Sequence, residues 1–266
     1  MKLAVIGSNP FGYVIKSYLE NVKGLDVSVL GKTHPTRFFF WAEGDDRDVV
    51  EKGLQESKIA YEEVPFPTAV LFNGDLITSR SDDVEGAFYA KTQTDIPFIG
   101  ENVVTFVVST PEDASEWILG ETDWIRPDKR GGFKVKILGT PIDAEDVLAT
   151  IPLPVLGRVL GRRLRVSRLY LQRQTPIEIP FNVRVPYKVI WDATPGNDVF
   201  RWVKHGSRWY KEVFSFSPQD QRGWFPHIRN PLRMTSYSNI KLYGPFAQWD
   251  PSAGLASVFK RLKEEF

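Results

Sequence analysis

The residues with the clearest chemical use are Gly7-Ser8-Asn9-Pro10-Phe11-Gly12. They separate an apolar run, Leu3-Ala4-Val5-Ile6, from a segment with helical spacing through Phe11, Val14, Ile15, Tyr18, Leu19 and Val22. A strand, a tight turn and a helix start in this order offer backbone N–H groups to an anion, and glycines let the backbone approach a phosphate closely. Gly7 and Gly12 occupy the first and last positions of the dinucleotide-binding spacing GxGxxG, and Asn9 stands at its middle position. Asparagine tolerates a left-handed backbone, but its side chain takes space that a phosphate would use. Pro10 suits the first helical turn, where no amide is missed.

Other chemistry is narrower. With no cysteine, the chain has no disulfide, no thiolate nucleophile and none of the usual zinc or iron–sulfur ligand sets. Its three histidines, His34, His205 and His227, are scattered, so no metal site is expected. A lone histidine is more often structural than catalytic, and no catalytic residue is assigned. Arg158, Arg162, Arg163, Arg165, Arg168 and Arg173 interleave with Leu164, Val166, Leu169 and Leu171. That pattern predicts the solvated face of one strand, with an anion-binding surface as the alternative.

Composition sets the frame for these residues. The 266 residues, 42% apolar and 25% charged, suit one large or two small globular domains. A formal charge of +1 argues against a general polyanion binder, so nucleic acid is not an expected partner. No apolar run approaches membrane-spanning length, and the sequence opens on a core strand, which leads to the expectation of a cytoplasmic protein. Eight tryptophans, nineteen prolines and two methionines would suit a thermophile.

The elements that must position the turn follow from patterning. After Lys23-Gly24, a helix stop, residues 25–30 alternate toward a second strand, giving a parallel β-α-β unit that ends Leu30-Gly31-Lys32-Thr33 with no acidic residue for a ribose hydroxyl. The aromatics Phe38 to Trp41 predict a buried strand or bend. Residues 45–58 predict a surface helix, and residues 69–77 a hairpin turning at Asn73-Gly74. Strands are expected at 103–108, 134–138, 183–191 and within 198–216, with a short helix at 111–119 and a turn at 126–132. Residues 144–161 read as strand, turn and helix. At the end, residues 240–243 read as a strand, Gly244-Pro245-Phe246 as a break, and Asp250-Pro251-Ser252 as the opening of a helix through Leu255, Val258, Phe259 and Leu262.

Three ordered segments resemble one family. These are Ala4 to Gly12, then Leu148-Ala149-Thr150-Ile151-Pro152-Leu153-Pro154-Val155-Leu156, then Asn239 to Asp250 with Ile240-Lys241-Leu242-Tyr243-Gly244-Pro245-Phe246-Ala247-Gln248-Trp249. Together they resemble the FAD-dependent flavoproteins related to UDP-galactopyranose mutase, protoporphyrinogen oxidase and the amine oxidases. The resemblance implies an α/β fold: an FAD/NAD(P)-binding Rossmann-like domain from 1–78, 132–161 and 225–266, with an inserted, largely antiparallel β substrate domain from 79–131 and 162–224. It implies FAD as cofactor, a small-molecule substrate and oxidoreductase chemistry. Gly7, Ser8, Asn9 and Gly12 would face the pyrophosphate, with Phe11 and Lys32 among the cofactor contacts. Gly244 and Phe246 would sit beside the ribityl chain, Trp249 and Asp250 would begin the helix that points at the isoalloxazine, and Arg201 would reach substrate. Asn9 replaces a glycine and Pro245 the arginine of the last motif. These departures suit a second reading, a non-catalytic descendant of the fold that serves as a protein-interaction component, with aromatics at 38–41 and 202–210 as contacts.

Overall fold

The structure, a computed structural model, describes residues 2–31, 37–109, 117–129, 131–220 and 222–266, and only the backbone of Trp117 and Leu119. The chain forms two compact units. One gathers Met1–Glu63, Phe106–Arg165 and Leu232–Phe266; the other gathers Val64–Thr105 and Val166–Pro231.

The first unit begins with β1 (Lys2–Ile6), α1 (Pro10–Lys23) and β2 (Asp26–Gly31). β1 and β2 pair in parallel, Lys2 opposite Asp26 through Ile6 opposite Leu30. Four of the five residues of β1 are buried, as a strand covered on both faces requires. α1 turns Val14, Ile15, Tyr18 and Leu19 inward at helical spacing. β3 (Arg37–Ala42) then alternates strictly: Phe38 and Phe40 are buried, while Phe39 is 50% and Trp41 43% exposed. The aromatic run is therefore a half-exposed strand, because a period of two cannot bury neighbours on one face. α2 (Asp45–Glu56) follows.

The chain passes between the units within β4 (Tyr61–Pro65) and again within β7 (Val104–Ser109). Between these lie three elements of the second unit: β5 (Thr68–Phe72), β6 (Asp75–Ile77) and α3 (Asp82–Thr92). Asn73 and Gly74, both at positive φ, make the β5–β6 turn. After β7, β8 (Trp117–Leu119) runs parallel to β2. The helix expected at 111–119 is corrected at its described end, where strand pairing prevails; residues 111–116 lie outside the described residues. β9 (Thr122–Pro127), β10 (Phe133–Ile137) and β11 (Thr140–Ala144) form an antiparallel meander. β12 (Asp146–Ala149) then pairs in parallel with β1 on the edge opposite β2, and α4 (Leu153–Val159) follows with Pro154 in its first turn.

The second unit resumes with β13 (Arg168–Gln174), β14 (Val189–Asp192), β15 (Val199–His205), β16 (Arg208–Ser215) and β17 (Phe225–Ile228). Its seven-stranded sheet has the order β17-β13-β16-β15-β14-β5-β6, antiparallel except where β14 meets β5. Trp191, Phe88 and Phe200 pack edge to face at its centre, with α3 supplying Phe88 and Val84. Two expectations are corrected here. β14 begins at Val189 rather than Val183, since Pro186 cannot donate to a ladder. Of the arginine run, Arg168 and Arg173 alone lie in a strand; Arg162, Arg163 and Arg165 precede it.

The chain returns to the first unit with β18 (Ser236–Tyr237), β19 (Ile240–Leu242), α5 (Pro245–Gln248) and α6 (Leu255–Glu265). The six-stranded sheet there reads β18-β19-β12-β1-β2-β8, with only β18 antiparallel. α6 starts four residues later than expected, with Gly254 at its N-cap. Asp250 instead closes a local turn, its Oδ1 accepting from Ser252 N at 3.0 Å and Ser252 Oγ at 2.7 Å. Among the described residues no helix is long and apolar enough to cross a membrane.

Candidate functional site

A cavity of about 480 Å³ opens in the first unit where β1 and β2 end. Ile6, Gly7, Ser8 and Asn9 form one wall, Leu30 and Gly31 a second, Gly120 to Asp123 a third, and Ile151, Val155, Arg158 and Val159 of the α4 region a fourth. The wall is mostly apolar with a few polar groups, the usual character of a small-molecule site.

The turn owes its shape to close backbone approach. Gly7 adopts a φ of 127°, a conformation that side chains avoid, and a Cβ there would stand 2.2 Å from Thr150 Oγ1. Gly7 N donates to Leu30 O at 2.7 Å, and the Thr150 hydroxyl donates to Gly7 O at 3.2 Å, so the turn is tied to both neighbouring strands. A Cβ on Gly31 would meet Ser8 Oγ at 2.2 Å, which brings the end of β2 directly against the turn.

Asn9 has a structural role that its type suggests. It is the N-cap of α1, its Oδ1 accepting from Gly12 N at 3.1 Å, while its Nδ2 donates to Thr150 O at 2.8 Å. Pro10 carries no N–H, so two of the positions that would offer an amide to an anion are already spent. A cation is nevertheless present: Arg158 lines the cavity with a side chain 71% exposed, 3.9 Å from Glu121. Asp123, also in the lining, accepts from Gly139 N at 3.1 Å through Oδ2.

The remaining expected residues are distributed as follows. Gly12 is buried inside the α1 turn against Gly7. Phe11 packs against Phe40, ring centroids 5.2 Å apart, and lies over Gly244, where a Cβ would approach its ring to 3.0 Å. Phe246 is 42% exposed and meets the buried Trp249 edge to face. Trp249, at a φ of 53°, ends α5 rather than opening a helix, and this with Asp250 corrects the expected helix start. Lys32 lies outside the described residues. The structure thus brings Gly7, Ser8 and Asn9 to the cavity and places Phe11 with Gly244 elsewhere in the same unit. Sequence reading missed Glu121, Asp123 and the place of Arg158, for strands distant in sequence bring them together. The two carboxylates of Glu121-Thr122-Asp123 were the available signal.

Arg201 belongs to the second unit. Paired positions place Trp191, Arg201, Glu212 and Arg173 in one row across β14, β15, β16 and β13. Glu212 is fully buried, and Arg201 Nε donates to its Oε2 at 2.7 Å while Arg173 Nη2 donates to its Oε1 at 2.8 Å. Burial pushes the Glu212 carboxyl up, and the two guanidiniums outweigh it and hold it below the usual range. His227, on β17, is pushed down to about 3, first by burial and then by Arg201, so it is neutral at pH 7. A second polar cluster stitches α3 to the sheet: Lys91 Nζ donates to Asp192 Oδ1 at 3.1 Å and Asn197 Oδ1 at 2.8 Å, and Trp202 Nε1 donates to Asp192 Oδ2 at 3.0 Å.

No family model and no curated protein matches the sequence. Solved structures do. An oxidoreductase from Methanosarcina mazei aligns with a TM-score of 0.56 at 9% identity, covering 99% of this chain and 100% of that one. A probable FAD-dependent monooxygenase from Pseudomonas aeruginosa gives 0.54 at 11% identity, with 99% and 86% covered. A thermophilic tryptophan halogenase from Streptomycin violaceusniger gives 0.54 at 10% identity, with 100% and 74% covered. At such identities the likeness is one of fold: a mixed α/β architecture with parallel and antiparallel sheets, shared with these three proteins.

Proposed function

We propose that the chain is an FAD-binding flavoprotein of the oxidoreductase kind, with its first unit as a Rossmann-like dinucleotide-binding part and its second as the substrate part. The observation that carries the reading is the cavity against the Gly7-Ser8-Asn9 turn, in a fold shared with an FAD-dependent monooxygenase. At about 480 Å³ the cavity lies within the roughly 300–1,000 Å³ span of small-molecule sites, and its lining suits the adenosine and diphosphate part of the group. Ile6, Leu30, Val155 and Val159 would take the apolar adenine, and the carboxylates of Glu121 and Asp123 would accept from ribose hydroxyls. Arg158 would hold the diphosphate alongside Ser8, supplying the charge that the capped amide of Gly12 and the absent N–H of Pro10 do not.

The contacts carried by the resemblance, Phe11, Gly12, Lys32, Gly244, Phe246, Trp249 and Asp250, belong to the same proposal, as does the grouping with the mutases and amine oxidases. Bound FAD supplies hydride and electron transfer, and the chain's own residues bind and orient it. The visible absorption spectrum of freshly purified protein, followed by release and chromatography of any cofactor, tests the reading. A flavin spectrum with FAD released supports it; colourless protein that takes up no added FAD overturns it.

The second reading, a non-catalytic descendant that contacts other proteins, is favoured by the spent amides and by Phe39 and Trp41 on the exposed face of β3. The contact expected at 202–210 is corrected, for Trp202 and Trp209 are 5% and 4% exposed and serve the core.

A further inference from the structure

We infer that β3 is a dimerisation edge, at which two copies of this chain pair antiparallel about a two-fold axis at Phe40. The inference stands apart from the flavin reading and gives the exposed aromatics of β3 one partner, a second copy. It starts from the sheet edges. An edge strand invites pairing with another chain, and proteins guard against this with short edge strands or a proline. Four sheets are formed among the described residues, each with two edges. β18, β8 and β6 are only two or three residues long. β4, β9, β11 and β17 contain Pro65, Pro127, Pro141 and Pro226. Among these edges β3 alone has six residues and no proline, and its outward side chains include Phe39 and Trp41, 50% and 43% exposed.

The residue order along the strand selects the occupant. Arg37, Phe39 and Trp41 share the exposed face, and Glu43, one residue past the strand, continues their period of two. Around Phe40 this series is self-complementary. In an antiparallel pair centred there, Phe39 stands opposite the second copy's Trp41, and Arg37 opposite the second copy's Glu43. Each contact occurs twice, as an isologous interface requires. Aromatic pairs and opposite charges directly across a ladder are both favourable. In the registers two residues to either side, Arg37 or Glu43 faces an aromatic ring instead, and in-register parallel pairing sets like charges together.

The inner face of β3 is already fixed. Phe40 meets Phe11 with ring centroids 5.2 Å apart, and Phe38 meets Tyr13 at 5.9 Å. A strand held in this way loses little freedom on pairing, which favours association. The product joins the two β3-β7-β4 sheets into one of six strands. Contact along a single strand buries less than a standard interface, so the dimer should dissociate on dilution.

The test is sedimentation velocity of the full chain over a concentration series, with thermal unfolding of each variant to show that it is folded. Wild type is expected to pass from monomer to dimer as concentration rises. Arg37→Glu and Glu43→Arg each set like charges opposite one another at two places, and each is expected to weaken the dimer at least about tenfold. The double variant Arg37→Glu/Glu43→Arg exchanges the two signs and should restore wild-type association. Phe39→Lys, which puts a guarding charge on the edge, should leave a monomer. Arg158→Glu, with the same change in net charge as Arg37→Glu, should associate as wild type does. A wild type that stays monomeric throughout, single variants that associate as tightly as wild type, or a folded double variant no better than the singles would each overturn the inference. Should the double variant fail to fold, Phe39→Lys decides: a dimer of undiminished affinity uses another surface and overturns it.

Discussion

A methyl group on Gly12 would stand 2.0 Å from the carbonyl oxygen of Gly7. The obstacle is backbone, tied by Thr150 on one side and Leu30 on the other, so it has nowhere to retreat. Gly12→Ala should therefore destabilise the protein by roughly 1–3 kcal/mol, toward the upper end, and lower any FAD affinity with it. Thermal unfolding of the variant checks this; an unchanged midpoint would mean the turn can open.

Asn9→Gly tests whether the cap obstructs the cofactor. The helix keeps a tolerated N-cap residue but loses the carboxamide bond to Thr150 O, for a total cost of about 1 kcal/mol. Gly12 N becomes available to an anion. Affinity for added FAD, followed by quenching of flavin fluorescence, should rise although stability falls. A parallel fall in both would show that Asn9 shapes the turn rather than blocks it.

Arg158→Ala should weaken FAD uptake by about tenfold through loss of a charged contact, while the melting temperature stays within about a degree, because the side chain is 71% exposed and its Glu121 partner is 3.9 Å away. Comparing FAD with riboflavin, which lacks the diphosphate, separates this from a general loss of fit: only FAD binding should respond.

The buried pair Lys91 and Asp192, side chains 6% and 1% exposed, predicts a different scale of effect. Asp192→Ala leaves Lys91 Nζ and Trp202 Nε1 without their carboxylate, and burial already depresses the Lys91 ammonium. A loss of about 3–5 kcal/mol is expected in denaturant unfolding.

Stability should also depend on pH through His227. Its folded pKa of about 3 lies below the ordinary 6.5, so between those values the unfolded chain binds the extra proton. Stability is full above about pH 6.5 and falls as pH drops, by at most about 1.4 kcal/mol per unit. Glu212, also depressed, adds a loss of the same sign at the acid end. His227→Gln should flatten the slope between pH 6.5 and 4.5; an equal slope in both proteins would assign it to other groups.

Much of the architecture was legible where one local signal sufficed. The run Leu3 to Ile6, the proline at the helix start and Gly24 at its end specify β1, α1 and β2 without reference to the rest of the chain. α3 was not legible, because it buries only Val84, Phe88 and Thr92 and shows little apolar periodicity; Ser81 as cap and Asp82, Asp83 and Glu85 in its first turn were the overlooked signal. Asp250-Pro251 misled for the opposite reason: the same residues that cap helices also close turns. Of the site, the turn could be read and the opposite walls could not. Glu121, Asp123 and Arg158 acquire their place only when β8, β9 and α4 assemble around β1 and β2.

That assembly sets an order on folding. β1 gains one neighbour at once, from β2, but its other edge is closed by β12, Leu3 meeting Asp146, and β12 in turn waits for β19, Leu148 meeting Lys241. Pairings this far apart in sequence carry a heavy loop-closure entropy and make for slow folding. On the ribosome, an apolar strand would stand with a bare edge while more than half the chain was still being made, the condition under which nascent chains cross-pair with one another and in which a holding chaperone matters most.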